Sequence, residues 1–210
     1  MKKYLTIAAA VASTVAFTTA ASAALSGFEI GVGISHLNFG GESKTDATPA
    51  VKSDTKKAVL TADLGVGYAF GFGKWSVTPY AFIQSGGGKL QLVDNDDTIK
   101  RKFAWGLALR AGFDVAPRSS VYIKLGAKQG QFDYKNTNGA GTSTKKTEKP
   151  WGLLGGVGFK LDVSEKVALD LGYTYVNYGT IKSKKFAGAT THLETKMTDN
   201  DVRLGVSYKF

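Results

Sequence analysis

The sequence predicts an all-β fold: an eight-stranded, antiparallel, up-and-down transmembrane β-barrel preceded by a cleaved signal peptide. Three observations carry this expectation. The closing stretch Asp201–Phe210 alternates strictly, with Val202, Leu204, Val206, Tyr208 and Phe210 on one face and Arg203, Gly205, Ser207 and Lys209 on the other. Such period-two alternation marks a strand with one apolar and one polar face. The connections between strands of this kind alternate short and long, as in barrels that cross an outer membrane. The aromatics gather at strand ends, where amphipathic rings sit at the headgroup level of a bilayer.

Met1–Ala23 reads as a secretory signal peptide. Lys2 and Lys3 supply the charged start, Leu5–Phe17 the apolar region, and Ala21-Ser22-Ala23 the small-residue cleavage site. The apolar region is shorter than the ~20 residues of a spanning helix. Without Lys2 and Lys3 the formal charge falls from +10 to +8. Residues 24–210 suit one domain. No cysteine is present, so no disulfide framework holds the fold. Glycine is abundant (26) and proline scarce (4). The near-zero mean hydropathy of −0.10 excludes a helical membrane protein but not a barrel, whose inward residues are polar.

The strands follow in order. The first, Phe28–Leu37, sets Phe28, Ile30, Val32 and Ile34 against Glu29, Gly31, Gly33 and Ser35. The second, Val59–Phe70, sets Leu60, Ala62, Leu64, Val66, Tyr68 and Phe70 against Thr61, Asp63, Gly65 and Gly67. The third, Ser76–Val93, is apolar on both faces near Tyr80–Ile83 and is interrupted by Gly86-Gly87-Gly88. The fourth, Lys102–Val115, points Phe103, Trp105, Leu107, Leu109, Ala111, Phe113 and Val115 outward. Val121–Tyr134, Trp151–Val163, Val167–Tyr178 and the closing stretch complete the eight. Gly71–Trp75, Ala116–Ser120 and Ser164–Lys166 are short turns, expected to face the periplasm. Asn38–Ala58, Gly86–Arg101, Lys135–Pro150 and Gly179–Asn200 are long polar loops, expected outside the cell.

With these directions Phe28, Phe70, Phe72, Trp75, Phe113, Tyr208 and Phe210 fall at the periplasmic rim. Phe103, Trp105, Trp151, Tyr175 and Tyr178 fall at the outer rim. A soluble lipocalin-type barrel is the competing fold, but it explains neither the two belts nor the terminal Phe.

The inward set pairs acids with bases: Glu29, Asp63, Asp114, Asp162 and Asp170 against Arg110, Lys124, Lys128, Lys160, Arg203 and Lys209. An eight-stranded lumen is only just wide enough for side chains to fill it, and a buried charge without a partner is costly. Glu29, Asp63, Arg110, Lys124, Lys160, Asp170 and Arg203 are therefore expected to form an interior charge network. The same groups would line a narrow solute path if the lumen conducts.

Catalytic chemistry finds little support, and the chain is read as no enzyme. Ser35 and His36 are adjacent but on opposite faces of a strand, and His192 lies in the last loop. A nucleophile needs a base within hydrogen-bond reach and a third orienting group. Asp94-Asn95-Asp96-Asp97 lacks the spacing of a calcium loop and reads as a solvated tip. Gly31/Gly33 and Gly65/Gly67 sit inside strands with no helix following, so they are not phosphate loops. No catalytic, cofactor-binding or metal-binding residue is assigned.

The loops carry the remaining charge. Lys135, Lys145, Lys146 and Lys149 against Glu148 make the third loop +3. Lys182, Lys184, Lys185 and Lys196 against Glu194 and Asp199 make the fourth +2. This basic rim suits lipopolysaccharide phosphates, and equally an acidic glycan or a host-cell surface protein. Nucleic acid is not an expected partner of a surface loop.

Leu153–Thr180, Val77-Thr78-Pro79-Tyr80 and the ending Val202–Phe210 resemble small outer-membrane barrels. These are the opacity-protein, OmpX-like and OmpA-transmembrane-domain relatives, which include Lys-rich rickettsial adhesins. The resemblance implies a cell outer-membrane location in a Gram-negative bacterium, with extracellular loops. It also implies that Val202, Leu204, Val206, Tyr208 and Phe210 are the signal read by the barrel-assembly machinery. Ala189-Thr190-Thr191-His192 is an imperfect counterpart of an adhesin segment. No peptidoglycan-binding domain is expected after Phe210. The implied function is adhesion or host-surface interaction through the loops. A small ion or solute channel, or a purely structural barrel, is the alternative.

Overall fold

The structure, a computed structural model, describes residues 26–45, 52–91, 98–137, 143–183 and 193–210. The expected signal peptide, residues 1–23, lies outside them. Ten strand segments are present: β1 Gly27–Thr45, β2 Lys52–Phe72, β3 Trp75–Gln84, β4 Lys89–Gln91, β5 Thr98–Ala116, β6 Ser119–Thr137, β7 Ser143–Glu148, β8 Trp151–Asp162, β9 Val167–Ser183 and β10 Leu193–Lys209. Eight of them (β1, β2, β3, β5, β6, β8, β9, β10) pair antiparallel in sequence order, and β10 returns to β1 to close the ring. The short β4 and β7 are outer continuations of the third and sixth strands, pairing with β5 and β6.

The alternation read from the residues orients the wall. Val32, Ile34, Leu64, Leu107, Leu109, Val157, Val202 and Leu204 face outward and are exposed, whereas Glu29, Ser35, Thr61, Arg110, Asp170 and Ser207 are buried inside. An apolar outer band with a polar interior is the arrangement a bilayer demands. Rings pair along one rim: Phe28 with Phe210 at 5.8 Å and Trp75 with Phe113 at 4.7 Å between centroids. Trp105 and Trp151 meet edge-on at 4.9 Å on the other. Tyr178, expected on that outer rim, instead points into the lumen and is buried. It lies three residues from the exposed Tyr175, an odd step that reverses its face.

The turn end is tight. Asp114 N–H donates to the Lys74 carbonyl at 2.8 Å, and Phe210 N–H to the Phe28 carbonyl at 2.9 Å. The loop end corrects the expected long loops, because the strands run well into them. β1 and β2 stay in register out to Lys44 opposite Lys52, and β10 reaches Leu193 opposite Thr45. Above the membrane the outward face of a strand meets water, so the apolar signal on that face fades while the hydrogen-bond ladder continues.

Two ladders of the ring stop early. β2–β3 ends at Asp63 opposite Gln84, and β8–β9 ends at Leu153 opposite Asn177. Among the described residues the barrel therefore divides beyond the apolar band into two sheets. One is the upper β9–β10–β1–β2; the other is β4–β5–β6–β7. Local chemistry marks the second break. Pro150 has no N–H to continue a ladder, and Gly179, at φ +72°, sits in a bulge of β9 between the pairs Thr180–Lys196 and Asn177–Thr198.

Inside, two tyrosines lie flat over glycines. A Cβ on Gly65 would fall 1.8 Å from the Tyr80 hydroxyl, and one on Gly158 would fall 2.2 Å from Tyr122 Cζ. Gly65→Val should destabilise the barrel by about 1–3 kcal/mol. Paired with Tyr80→Ala its cost should be smaller than the sum of the two single changes, as read by urea unfolding in detergent micelles.

Candidate functional site: a filled lumen and a basic rim

The lumen is filled in layers. Nearest the turn end, Lys209 Nζ contacts Asp162 at 2.9 Å. Above it Glu29, on β1, is paired with Arg110 of β5 at 3.1 Å and with Lys160 of β8. The Arg110 guanidinium also lies 3.6 Å from the centre of the Tyr80 ring. Next, Arg203 of β10 bridges two acids, with Nε 2.8 Å from Asp63 and Nη1 2.8 Å from Asp170. Tyr122 donates to the same Asp170 carboxylate at 3.1 Å. The structure thus brings Glu29, Arg110 and Lys160 together, and separately Asp63, Asp170 and Arg203.

Lys124 stands apart. It is 9% exposed, makes no direct ion pair among the described residues, and has its ammonium 5.8 Å from the Phe82 ring centre. It borders a cavity of about 30 Å³ lined also by Asp63, Gln84, Lys128, Asp201 and Arg203. That is room for one or two waters.

Of a further layer only Lys128 was expected inside. Asp199 Oδ2 accepts from Lys128 at 3.0 Å, from Tyr178 at 2.8 Å and from Arg101 at 3.5 Å. Arg101 also donates to Gln84 Oε1 at 2.7 Å, and Gln84 Nε2 donates to Asp201 at 2.7 Å. Arg101 and Asp199 are fully buried, although both were expected in surface loops. Asp199 shares the parity of Asp201 and Arg203, so extending the alternation upstream would have placed it. Arg101 has the wrong parity relative to Arg110, because the β5–β6 register shifts between Arg101 and Ala104. With Asp199 inside, it no longer offsets the lysines of the fourth loop.

Beside and above this layer the lumen becomes apolar. Leu37, Phe39, Ile99, Phe132, Leu154, Val176 and Met197 are buried together beside Tyr178. This cluster was also missed. Its signal is a phase reversal: the apolar residues of β1 are even-numbered through Ile34 and odd-numbered at Leu37 and Phe39.

On the rim, Lys146, Lys149 and Lys196 are exposed, and Lys102 meets Asp133 at 2.9 Å. Lys135, Lys145 and Lys182 lie in strands, but their side chains are outside the described set. Lys184, Lys185, Asp94–Asp97 and Ala189–His192 lie outside the described residues altogether. Ser35 is buried and 3.4 Å from Asp63, while His36 faces outward. The two are back to back.

The comparisons with known proteins agree with this architecture. A family described as the outer membrane protein beta-barrel domain matches residues 7–210. The chain belongs to this family. Its barrel lies in the outer membrane, with its loops outside the cell. The 25 kDa outer-membrane immunogenic proteins of Brucella abortus and Brucella suis are each 28% identical over 112 residues, which is 53% of this chain and 48% of theirs. The chain thus spans about half the length of these curated relatives. Among solved structures, AlkL in lipid bilayers is similar at TM-score 0.60 and 16% identity, covering 94% of this chain and 96% of that one. OprG of Pseudomonas aeruginosa is similar at TM-score 0.56 and 18% identity, covering 89% and 98%. These likenesses establish the fold.

The Asp199 layer makes a quantitative prediction. Removing one member of a buried charge cluster leaves the others uncompensated and costs about 3–5 kcal/mol. Asp199→Ala should lose stability of that order in urea unfolding. Lys196→Ala, on the exposed rim, should change it by less than about 0.5 kcal/mol.

Proposed function

We propose that this protein is a surface barrel whose projecting strands and tips mediate adhesion to a host surface, with no catalytic role. The observation that supports this reading best is the filled lumen. Paired charges occupy its lower part, and a buried apolar cluster lies above them. Chemistry available to a partner is then concentrated outside, on the strands that extend past the apolar band. Those strands and their tips are rich in lysine, which suits an acidic glycan or an acidic face of a host-cell surface protein. The same lysines face the phosphates of lipopolysaccharide at the outer leaflet. Val202, Leu204, Val206 and Tyr208 are exposed on one outer face of β10, and Phe210 just after it is exposed too, as a segment read by the assembly machinery requires.

The experiment displays the protein on bacteria and measures attachment to cultured host cells. The comparison replaces 135–150 and 179–200 with short turns at equal surface levels. Attachment should fall at least tenfold with the replacement. Equal attachment of the two strains overturns the adhesive reading. In planar bilayers the unaltered barrel should show no steady conductance, and a stable open current would favour a channel instead.

A further inference from the structure

The charges enclosed in the lumen do not balance. Arg110 and Lys160 share Glu29, and Arg101 and Lys128 share Asp199. Arg203 alone answers both Asp63 and Asp170. Asp201 and Lys124 complete this set among the described residues. Bases therefore outnumber acids by one. Two further groups of charges lie apart from it. At the loop end Asp133 is met by Lys102 at 2.9 Å. At the turn end Asp114 and Asp162 share Lys209, an excess of one acid, but Asp162 is partly exposed there. Asp114 is two inward positions below Arg110 on β5.

The excess falls on Lys124. Its side chain is buried, and among the described residues it has neither an ion pair nor a hydrogen bond, only the Phe82 ring at 5.8 Å. Arg110 stands opposite it in the β5–β6 ladder. The Arg110 Nε–H is buried as well and has no acceptor among the described residues. Both side chains line the cavity of about 30 Å³. A buried donor without an acceptor is costly, and a buried ammonium without a counter-charge is costlier. The acids on this cavity are engaged elsewhere. Asp63 is held by Arg203, and Asp201 Oδ2 accepts from Gln84 at 2.7 Å. Asp201 Oδ1 is buried without a partner among the described residues.

We propose that the cavity beside Lys124 is a binding site for one small monovalent anion of halide size. The anion accepts from the Lys124 ammonium and the Arg110 Nε–H, and it cancels the excess positive charge. A halide is comparable to a water in size, so it fits a space for one or two waters. The second place suits a water that donates to Asp201 Oδ1. Phosphate and sulfate are too large for this space. A water in the anion's place would satisfy the donors but leave the charge unanswered. The site lies inside the wall and is independent of what the rim binds.

The test measures urea unfolding of the full barrel in micelles of an uncharged detergent. Sodium chloride replaces sodium gluconate at constant ionic strength, gluconate being too large for the cavity. Once chloride exceeds its dissociation constant, each tenfold rise should raise the folding constant about tenfold, because one ion is released on unfolding. Lys124→Met should fold in gluconate and lose the chloride dependence. Lys196→Met, on the exposed rim, should keep it. A dependence that survives Lys124→Met arises elsewhere and overturns the proposal, as does a stability indifferent to chloride. Crystals of the unaltered barrel grown in sodium bromide give a second reading, which stands even if the variant does not refold. An anomalous bromide peak in the cavity beside Lys124 is the expected result. Density there without anomalous signal means water only, and overturns the site.

Discussion

Everything in this barrel depends on backbone pairing without an edge inside the lipid band. Hydrocarbon offers no hydrogen bonds, so an unpaired N–H or C=O there costs several kcal/mol. The ladder between β1 and β10, from Glu29 opposite Lys209 outward, removes the last edge of the ring. The same constraint explains where the molecule relaxes. The β2–β3 and β8–β9 ladders end only at the outer side of the apolar band, where water can satisfy what they leave open.

Closing eight strands leaves a narrow interior, and its contents follow from that width. Long basic side chains reach across it to acids on distant strands. Arg110 on β5 does so to Glu29 on β1, and Lys128 on β6 to Asp199 on β10. Such contacts tie together parts of the ring that share no ladder. Higher up, aliphatic and aromatic side chains replace charges, and the lumen is packed like the core of a soluble protein. The wall is thus apolar outside and charged inside at one level, and its interior turns apolar at the next.

That reversal decides how much was legible in the sequence. Within the lipid band, alternation gave the eight strands and the inward direction of Glu29, Arg110, Asp170 and Arg203, because the two faces differ sharply. Beyond it the rule failed for physical reasons. Leu37 and Phe39 follow His36 without a gap, so one strand changes its apolar face without breaking. The register shift between Arg101 and Ala104 reverses parity in β5, and nothing in the residues announces it. Tyr178 was assigned as an interfacial aromatic by its type, whereas its position in the strand sends it to Asp199. Long stretches of Lys, Thr and Asp read as loops because polar strands above a membrane lack the contrast that periodicity detects.

The division into two sheets has a consequence for how the surface can diversify. One sheet joins its strands through tips 46–51 and 184–192, the other through 92–97 and 138–142. Among the described residues no ladder crosses between the sheets at that height. A tip that lengthens, shortens or is exchanged in one half transmits no register change to the other. Over the described residues the exposed surface is modular, and the two halves can change as separate units above a shared anchor.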